Sequence, residues 1–293
     1  MKTFLALHRV LSHPANKGKR WQVFFRALWW KCNQLFFQLP ALVEILPDRW
    51  ILCKPNNSFG SFIVYAGWPE YHETLFLLDY LRPKDVYVDV GAHIGFELIV
   101  ASSKVNKGAL YGFEPSPQIF SDLITNVGLN NKSANIQVFQ QAVSNKSGWL
   151  EFTQEAESEE SHIAHSDSNQ TTLKVKSITL DQFAEERKIN HIDLLKVDTE
   201  GAEALVFEGA KSLLKEKKIA CILFEVNSNI HHFKSTETKL LTYLEQLGYC
   251  IYYFDEMQLL PTSSQKFTYK KTVNLLAFHD KKMLVRRLKK FAL

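Results

Sequence analysis

Cysteine is scarce in this chain. Cys32, Cys53, Cys221 and Cys250 are the only four in 293 residues, and no two form a C-x-x-C pair. That spacing argues against a disulfide framework. Cys221 and Cys250 sit in apolar runs, so buried free thiols in a reducing compartment are expected. Long hydrophobic runs are missing as well. No segment approaches the ~18 uninterrupted apolar residues of a membrane span, and the early run FLAL is broken by His8 and Arg9 before it reaches the length of a secretion signal. The expected site of action is the cytoplasm, with a peripheral place at the inner membrane face left open. The net charge is small, +4, but unevenly spread. Residues 1–54 hold nine Lys/Arg against two Asp/Glu and residues 281–293 hold six against none, which leaves −9 on the body between. With 46% hydrophobic and 23% charged residues, the body is ordinary globular material for one α/β core with additions.

The most telling shortage is of glycine at one turn. The run Val86-Tyr87-Val88-Asp89-Val90 is β-branched and aromatic, as a buried parallel strand requires, and Gly91 ends it where the chain must turn. Gly95 then opens a helix whose Phe96, Leu98, Ile99 and Ala101 face a sheet. Glu114 ends the next strand, where an open α/β sheet places the carboxylate that holds ribose hydroxyls. A dinucleotide fingerprint needs G-x-G-x-x-G so that the backbone can approach a pyrophosphate. Here the turn reads Gly91-Ala92-His93-Ile94-Gly95, without the central glycine. Asp89 inside the strand also disfavours a phosphate ligand by repulsion. A cationic ligand without phosphate fits better, and S-adenosylmethionine is such a ligand, with its ribose on Glu114.

Elsewhere, Trp21, Phe24, Phe25, Leu28, Cys32, Leu35, Phe36 and Leu39 recur at helical spacing up to Pro40. The expected helix has an aromatic face that packs on the body or on a twin subunit. Interfacial membrane binding is the alternative, supported by Lys17, Lys19, Arg20 and Arg26. Residues 50–68 read as short β structure and 70–81 as a helix ending before Pro83. Parallel strands are expected at 86–90, 109–114, 135–139, 192–198 and 219–226. A helix at 236–247 precedes segments 250–256 and 272–280, which are joined too closely for a helical crossover and should pair antiparallel. Two further strands, WLEFTQ and LKVKSITL, flank a polar stretch from Glu155 to Gln170 that should be a mobile loop, with His162 and His165 as weak catalytic candidates. The expected organisation is an extension over 1–68, a catalytic domain over 69–280 and a basic tail over 281–293, in which Leu284, Leu288 and Phe291 share one face.

Chemistry concentrates in IDLLKVDTEGAEALVFEGA, residues 192–210. Lys196 and Asp198 alternate with Leu195 and Val197, so both project to one face at the carboxyl edge where such sheets bind ligands. Glu200 and Glu203 follow at the start of a helix. A structural Lys/Asp pair with two favourable first-turn charges is the plainer reading; a cleft cluster of perturbed charges is the functional one. Asp181 in TLDQF reads as a helix N-cap.

The ordered set DVGAHIG, FEPSP, Asn126, AVSNKSGWLEF, TLDQF, IDLLKVDTEGAE and ILFEVN resembles the FkbM family of S-adenosylmethionine-dependent methyltransferases, from about Tyr80 to Asn227. The resemblance implies an α/β fold with a Rossmann-like class I methyltransferase sheet, mostly parallel with a C-terminal antiparallel hairpin, behind an aromatic-rich N-terminal helical extension. It implies O-methylation, commonly of sugar hydroxyls on glycans, glycolipids or natural products. It puts Asp89, Gly91, His93 and Gly95 around the methionine part of the cofactor and Glu114 on its ribose. His93 departs from the family's usual asparagine. The pattern K-x-D-x-E-G-x-E falls on Lys196, Asp198, Glu200, Gly201 and Glu203, with Lys196, Asp198 and Glu200 as catalytic candidates. Asp198, Glu225 and Asn227 offer three oxygen ligands for Mg²⁺, the less favoured version; on the favoured one Glu225 and Asn227 line the acceptor pocket. A sugar or glycolipid is the expected partner, nucleic acid is not, and a homo-oligomer is left open. The rival readings are a nucleic-acid methyltransferase and an inactive, membrane-associated interaction protein that keeps the fold.

Overall fold

A computed structural model describes residues 10–130, 135–153, 172–233, 235–268 and 272–293. Among the described residues a 3₁₀ turn at Pro14–Asn16 precedes helix α1 (Arg20–Cys32), which is continued by a π-helical turn at Asn33–Phe37 and followed by an antiparallel hairpin of β1 (Ala41–Leu46) and β2 (Arg49–Cys53). Helices α2 (Ser58–Ala66) and α3 (Tyr71–Tyr80) lead into the alternating body. There β3 (Val86–Val90), α4 (Phe96–Ser102), β4 (Ala109–Phe113), α5 (Pro117–Asn130) and β5 (Ile136–Phe139) follow one another. Short β6 (Ala142–Val143), β7 (Gly148–Thr153) and β8 (Thr172–Ile178) form a separate three-stranded sheet. Then come α6 (Leu180–Arg187), β9 (Ile192–Val197), α7 (Glu203–Glu208), α8 (Lys211–Lys215), β10 (Ile219–Val226) and α9 (Glu237–Gln246). Strands β11 (Cys250–Asp255), β12 (Gln258–Thr262) and β13 (Val273–Phe278) precede a last helix, α10 (Lys281–Arg287).

The main sheet runs β12-β11-β13-β10-β9-β3-β4-β5. Its five strands from β10 to β5 are parallel, and β13 pairs antiparallel with both β10 and β11. The central parallel strands are buried on both faces, hence their continuous apolar runs: every residue of β10 is buried, whereas β5 at the sheet edge is only half-buried. The chain steps outward from β3 through β4 to β5, then returns to place β9 on the other flank of β3. The switch point between β3 and β9 is therefore where the carboxyl edge opens a crevice.

Several local expectations need correction. Ser58–Ala66 is a helix, not β structure, because the Asn57 side chain caps it at Gly60 and apolar Ile63 and Val64 recur on its buried face. Cys250 is exposed, since it starts β11 at its outer end. Thr179 is the N-cap of α6; the Asp181 carboxylate instead accepts from the Ser212 and Leu213 amides, 2.8 and 3.0 Å away, and caps α8. Strand β12, unforeseen, adds to the sheet edge beyond β11. The polar stretch Glu155–Gln170, with His162 and His165, lies outside the described residues.

The two basic ends behave differently. Leu284, Leu288 and Phe291 turn inward and join the core around Phe76 and Tyr80. Arg287 is ion-paired with Asp85 and, at 2.7 Å, with Asp193. At the other end only Val23 and Trp30 of α1 are buried, Trp30 donating its indole N–H to Ser61 Oγ at 2.9 Å. The aromatic face expected to pack on the body is instead exposed, with Trp21 at 77% and Phe36 at 76%. Among the described residues no helix is long and apolar enough to cross a membrane.

Candidate active site

The carboxyl ends of β3, β4 and β9 open onto a cavity of about 730 Å³, within the range of small-ligand sites. Gly91 and His93 follow β3, Glu114 and Pro115 follow β4, and Lys196, Asp198 and Glu200 come from the end of β9 and the turn after it. All of them line the cavity.

The glycine turn is built by close approach. Gly91 has φ +88°, and a Cβ there would overlap the carbonyl oxygen of Asp198 on the neighbouring segment. Only glycine lets the two chain ends touch. The Gly91 and Ala92 amides both donate to Phe113 O, 3.0 and 2.9 Å away, tying the turn to the end of β4. His93 has φ +48°, a left-handed conformation that asparagine, aspartate and histidine adopt more readily than other side chains. Its ring stands edge-on to Phe59 at 5.1 Å. Gly95, at φ +90°, opens α4.

Glu114 is held by two backbone donors. The His93 amide reaches Oε2 at 3.1 Å and the Ser116 amide reaches Oε1 at 2.8 Å. Burial raises its carboxyl to about 7 against the pull of those two bonds. The carboxylate is thereby aimed before any ligand arrives.

Beside the turn lies a buried charge cluster. Asp89 and Lys196 are register partners on β3 and β9. The Lys196 ammonium, 3% exposed, sits 3.0 Å from Asp198 Oδ2 and 3.9 Å from Glu97 Oε1. Burial alone would lower its pKa, but Asp198, Glu97, Glu70 and Asp89 together carry it well above the ordinary lysine value. It stays an ammonium and is no base. Asp89 is wholly buried beneath the turn, outside the cavity lining and beside the buried Tyr87 hydroxyl. Burial, opposed by Lys196, pushes it up to about 8. Glu70, at the cavity wall, is pushed well above the carboxylate range, first by burial.

Glu203 is structural. Its Oε1 accepts from the Thr199 amide, the Thr199 hydroxyl and the Gly201 amide at 3.0, 3.0 and 3.1 Å, closing the turn at the start of α7. Glu200, at φ +53°, accepts from Asn227 Nδ2 at 3.0 Å and Asn229 Nδ2 at 3.4 Å. Glu225 and Asn227 do not line the cavity; they bond to each other at 2.6 Å behind Asp198. Burial, with Asp198 and Glu200, raises Glu225 to about 9. The oxygen trio that converges is Glu70, Asp198 and Glu225, within 4.8 Å of one another. Asn227 drops out because its amide nitrogen faces the glutamates and its oxygen accepts from the Asn229 amide.

Glu70, Glu97 and the aromatic wall are absent from the expectation. Glu97 left one trace, an acid within the apolar helix FELIVAS. Glu70, Phe59, Phe62 and Tyr65 left none, because they belong to α2 and the start of α3, far from the motifs in sequence. On the opposite wall stand Ile119, Gln141, Ala142, Val143 and Phe152.

Residues 89–251 match the model of the methyltransferase FkbM domain. The chain is similar to hexuronic acid methyltransferase AglP of Haloferax volcanii, 27% identical over 180 residues that make up 59% of this chain and 70% of AglP. It is also similar to methyltransferase sdnD of Sordaria araneosa, 27% identical over 152 residues, 42% of this chain and 59% of that one. Among solved structures, methyltransferase FkbM of Methylobacillus flagellatus KT shares 14% identity at a TM-score of 0.43, covering 76% of this chain and 55% of its own length.

Proposed function

Because the chain belongs to the FkbM methyltransferase family, we propose that it is an S-adenosylmethionine-dependent O-methyltransferase acting on a sugar hydroxyl of a glycan or glycolipid. The observation that carries this reading is the meeting, in one cavity, of the glycine turn, the pre-aimed Glu114 and the Lys196–Asp198 pair. The residues fit the cofactor: the Glu114 carboxylate is held at the cavity wall by the His93 and Ser116 amides, and the side-chain-free turn at Gly91 lines the same cavity. Glu114 would hold the ribose and Gly91 and His93 the remainder, while Asp89 and Gly95 lie outside the cavity lining and shape the turn from behind. When bound, the cofactor supplies a methyl group on a positively charged sulfur.

The protein's own part is positioning and proton transfer. An alcohol is a poor nucleophile until its proton is leaving. Asp198, at the cavity wall, accepts that proton. Lys196 orients the carboxylate from 3.0 Å and stabilises negative charge growing on the acceptor oxygen. Glu200 is tied to Asn227 and Asn229 and so acts as a positioning residue for the turn. Phe59, Phe62 and Tyr65 line the cavity, an aromatic wall against which a sugar ring can lie. That AglP is a hexuronic acid methyltransferase supports the sugar class.

Calorimetry with S-adenosylmethionine tests the reading. Glu114→Ala should weaken binding at least about tenfold, the scale of one lost charge-assisted contact, and Asp198→Asn should leave binding intact while turnover falls by roughly two orders of magnitude or more. An absence of binding heat, or binding unchanged by Glu114→Ala, would refute it. Turnover that survives thorough chelation removes the Mg²⁺ version at Glu70, Asp198 and Glu225.

A further inference from the structure

We propose that the outer face of α1 and of the π-helical turn after it docks on an anionic lipid bilayer. Trp21, Phe25, Leu28, Trp29, Leu35, Phe36, Phe37 and Leu39 are all exposed there, and Leu42 at the start of β1 continues the patch. An exposed apolar surface of that extent marks an interaction site.

The face is held rigidly from behind. Trp30 bonds to Ser61, Gln34 Nε2 donates to Pro55 O at 2.6 Å, and Asn33 Nδ2 donates to Leu39 O at 2.6 Å, so the turn that presents Leu35, Phe36 and Phe37 is anchored on both sides. Those side chains are exposed by a fixed backbone and do not collapse onto the body.

Charge selects the occupant. From residue 10 to residue 43 the chain carries Lys17, Lys19, Arg20, Arg26 and Lys31 and no acid. Arg26 donates to the Tyr65 carbonyl, and all five are exposed. A second copy packed about a twofold axis would set the same positive face against itself, with exposed Glu44, at the edge of the patch beyond Leu42, the first acid in sequence to offset it. An anionic membrane offers apolar depth for the aromatics and headgroup phosphates for the lysines at once. Tryptophan and phenylalanine between basic residues suit that boundary. The helix lies on such a surface and does not cross it, since no described helix is long and apolar enough to span.

The placement also bears on the acceptor. The inner face of α1 rests on α2 through Trp30 and Ser61, and α2 turns Phe59, Phe62 and Tyr65 into the cavity. The docking face is therefore about two helix thicknesses, roughly 20 Å, from the acceptor wall, which suits an acceptor carried on a lipid.

Co-sedimentation of the full-length protein with vesicles reads this without turnover, so its outcome stands apart from that of the proposed activity. The chain should bind vesicles containing phosphatidylglycerol, bind pure phosphatidylcholine far less, and be released by salt. Replacing Trp21→Ser, Phe25→Ser and Phe36→Ser together should cut partitioning roughly tenfold or more, with the melting profile unchanged. Lys19→Glu with Lys31→Glu should do the same, while Lys281→Ala with Lys282→Ala should not. The proposal is overturned if the full chain stays in solution with phosphatidylglycerol vesicles, or if the serine variant binds them as well as the parent. It is equally overturned if light scattering finds a dimer that the serine substitutions dissolve without altering vesicle binding.

Discussion

Both ends of this chain are basic and both alternate apolar with charged residues at helical spacing, yet they meet opposite fates. The tail buries its apolar side: Leu284 is fully covered, and Leu288 and Phe291 are nearly so. The N-terminal helix buries two residues and leaves its aromatics in the open. An amphipathic pattern states that one face will leave water; it does not state against what. The deciding feature is what lies opposite. The tail finds Phe76, Tyr80 and the carboxylates of Asp85 and Asp193, which hold Arg287. The N-terminal helix finds only α2, which is wide enough to cover one side of it.

The largest expected effect falls on the tail. Arg287→Ala leaves Asp85 and Asp193 without their cation, and removing one partner of a largely buried pair costs about 3 kcal/mol. Chemical denaturation should show that loss, and a variant as stable as the parent would mean that the tail is merely resting on the surface.

A change of pH should separate the cleft from both ends. Burial lifts Glu225 from 4.5 to about 9 and Asp89 from 3.8 to about 8. In the unfolded chain these protons are released near the ordinary carboxylate values, so between about pH 4 and pH 9 the folded chain binds more protons. Its stability therefore falls as pH rises through that window. Melting temperature should drop by several degrees across it, and Glu225→Gln should flatten the upper part of the fall. A melting temperature that climbs steadily from pH 5 to pH 9 would contradict these environments.

The smallest effect belongs to the outer aromatics. Trp21→Ser or Phe36→Ser should change stability by no more than about 0.5 kcal/mol, because each side chain is about three-quarters exposed. A larger loss on denaturation would place that face against something within the chain.

Much of the site was legible before the fold. The strand–turn–helix around Gly91, the acid at the end of β4 and the Lys196–Asp198 pair are each written within a few consecutive residues, where alternation and turn chemistry act locally. The positive φ of His93 was not legible, although the residue type tolerates it. Within segment 50–68 the β expectation holds for the part in β2, while Ser58–Ala66 was misread because apolar content alone does not separate a buried helix from a strand. Asp181 was read correctly as a cap but assigned to the wrong helix, since its partners lie about 30 residues ahead.

By itself the sequence determined the parallel strands, the glycine turn, the carboxylate of Glu114 and the face shared by Lys196 and Asp198, all of which follow from steric and periodic rules that span a few residues. Only the tertiary structure decided that Glu70 and Glu97 join Lys196, that Glu225 and Asn227 sit behind the cavity, and which amphipathic end is covered. Those outcomes depend on segments meeting across the chain. Burial and charge then act between neighbours in space that no local pattern names.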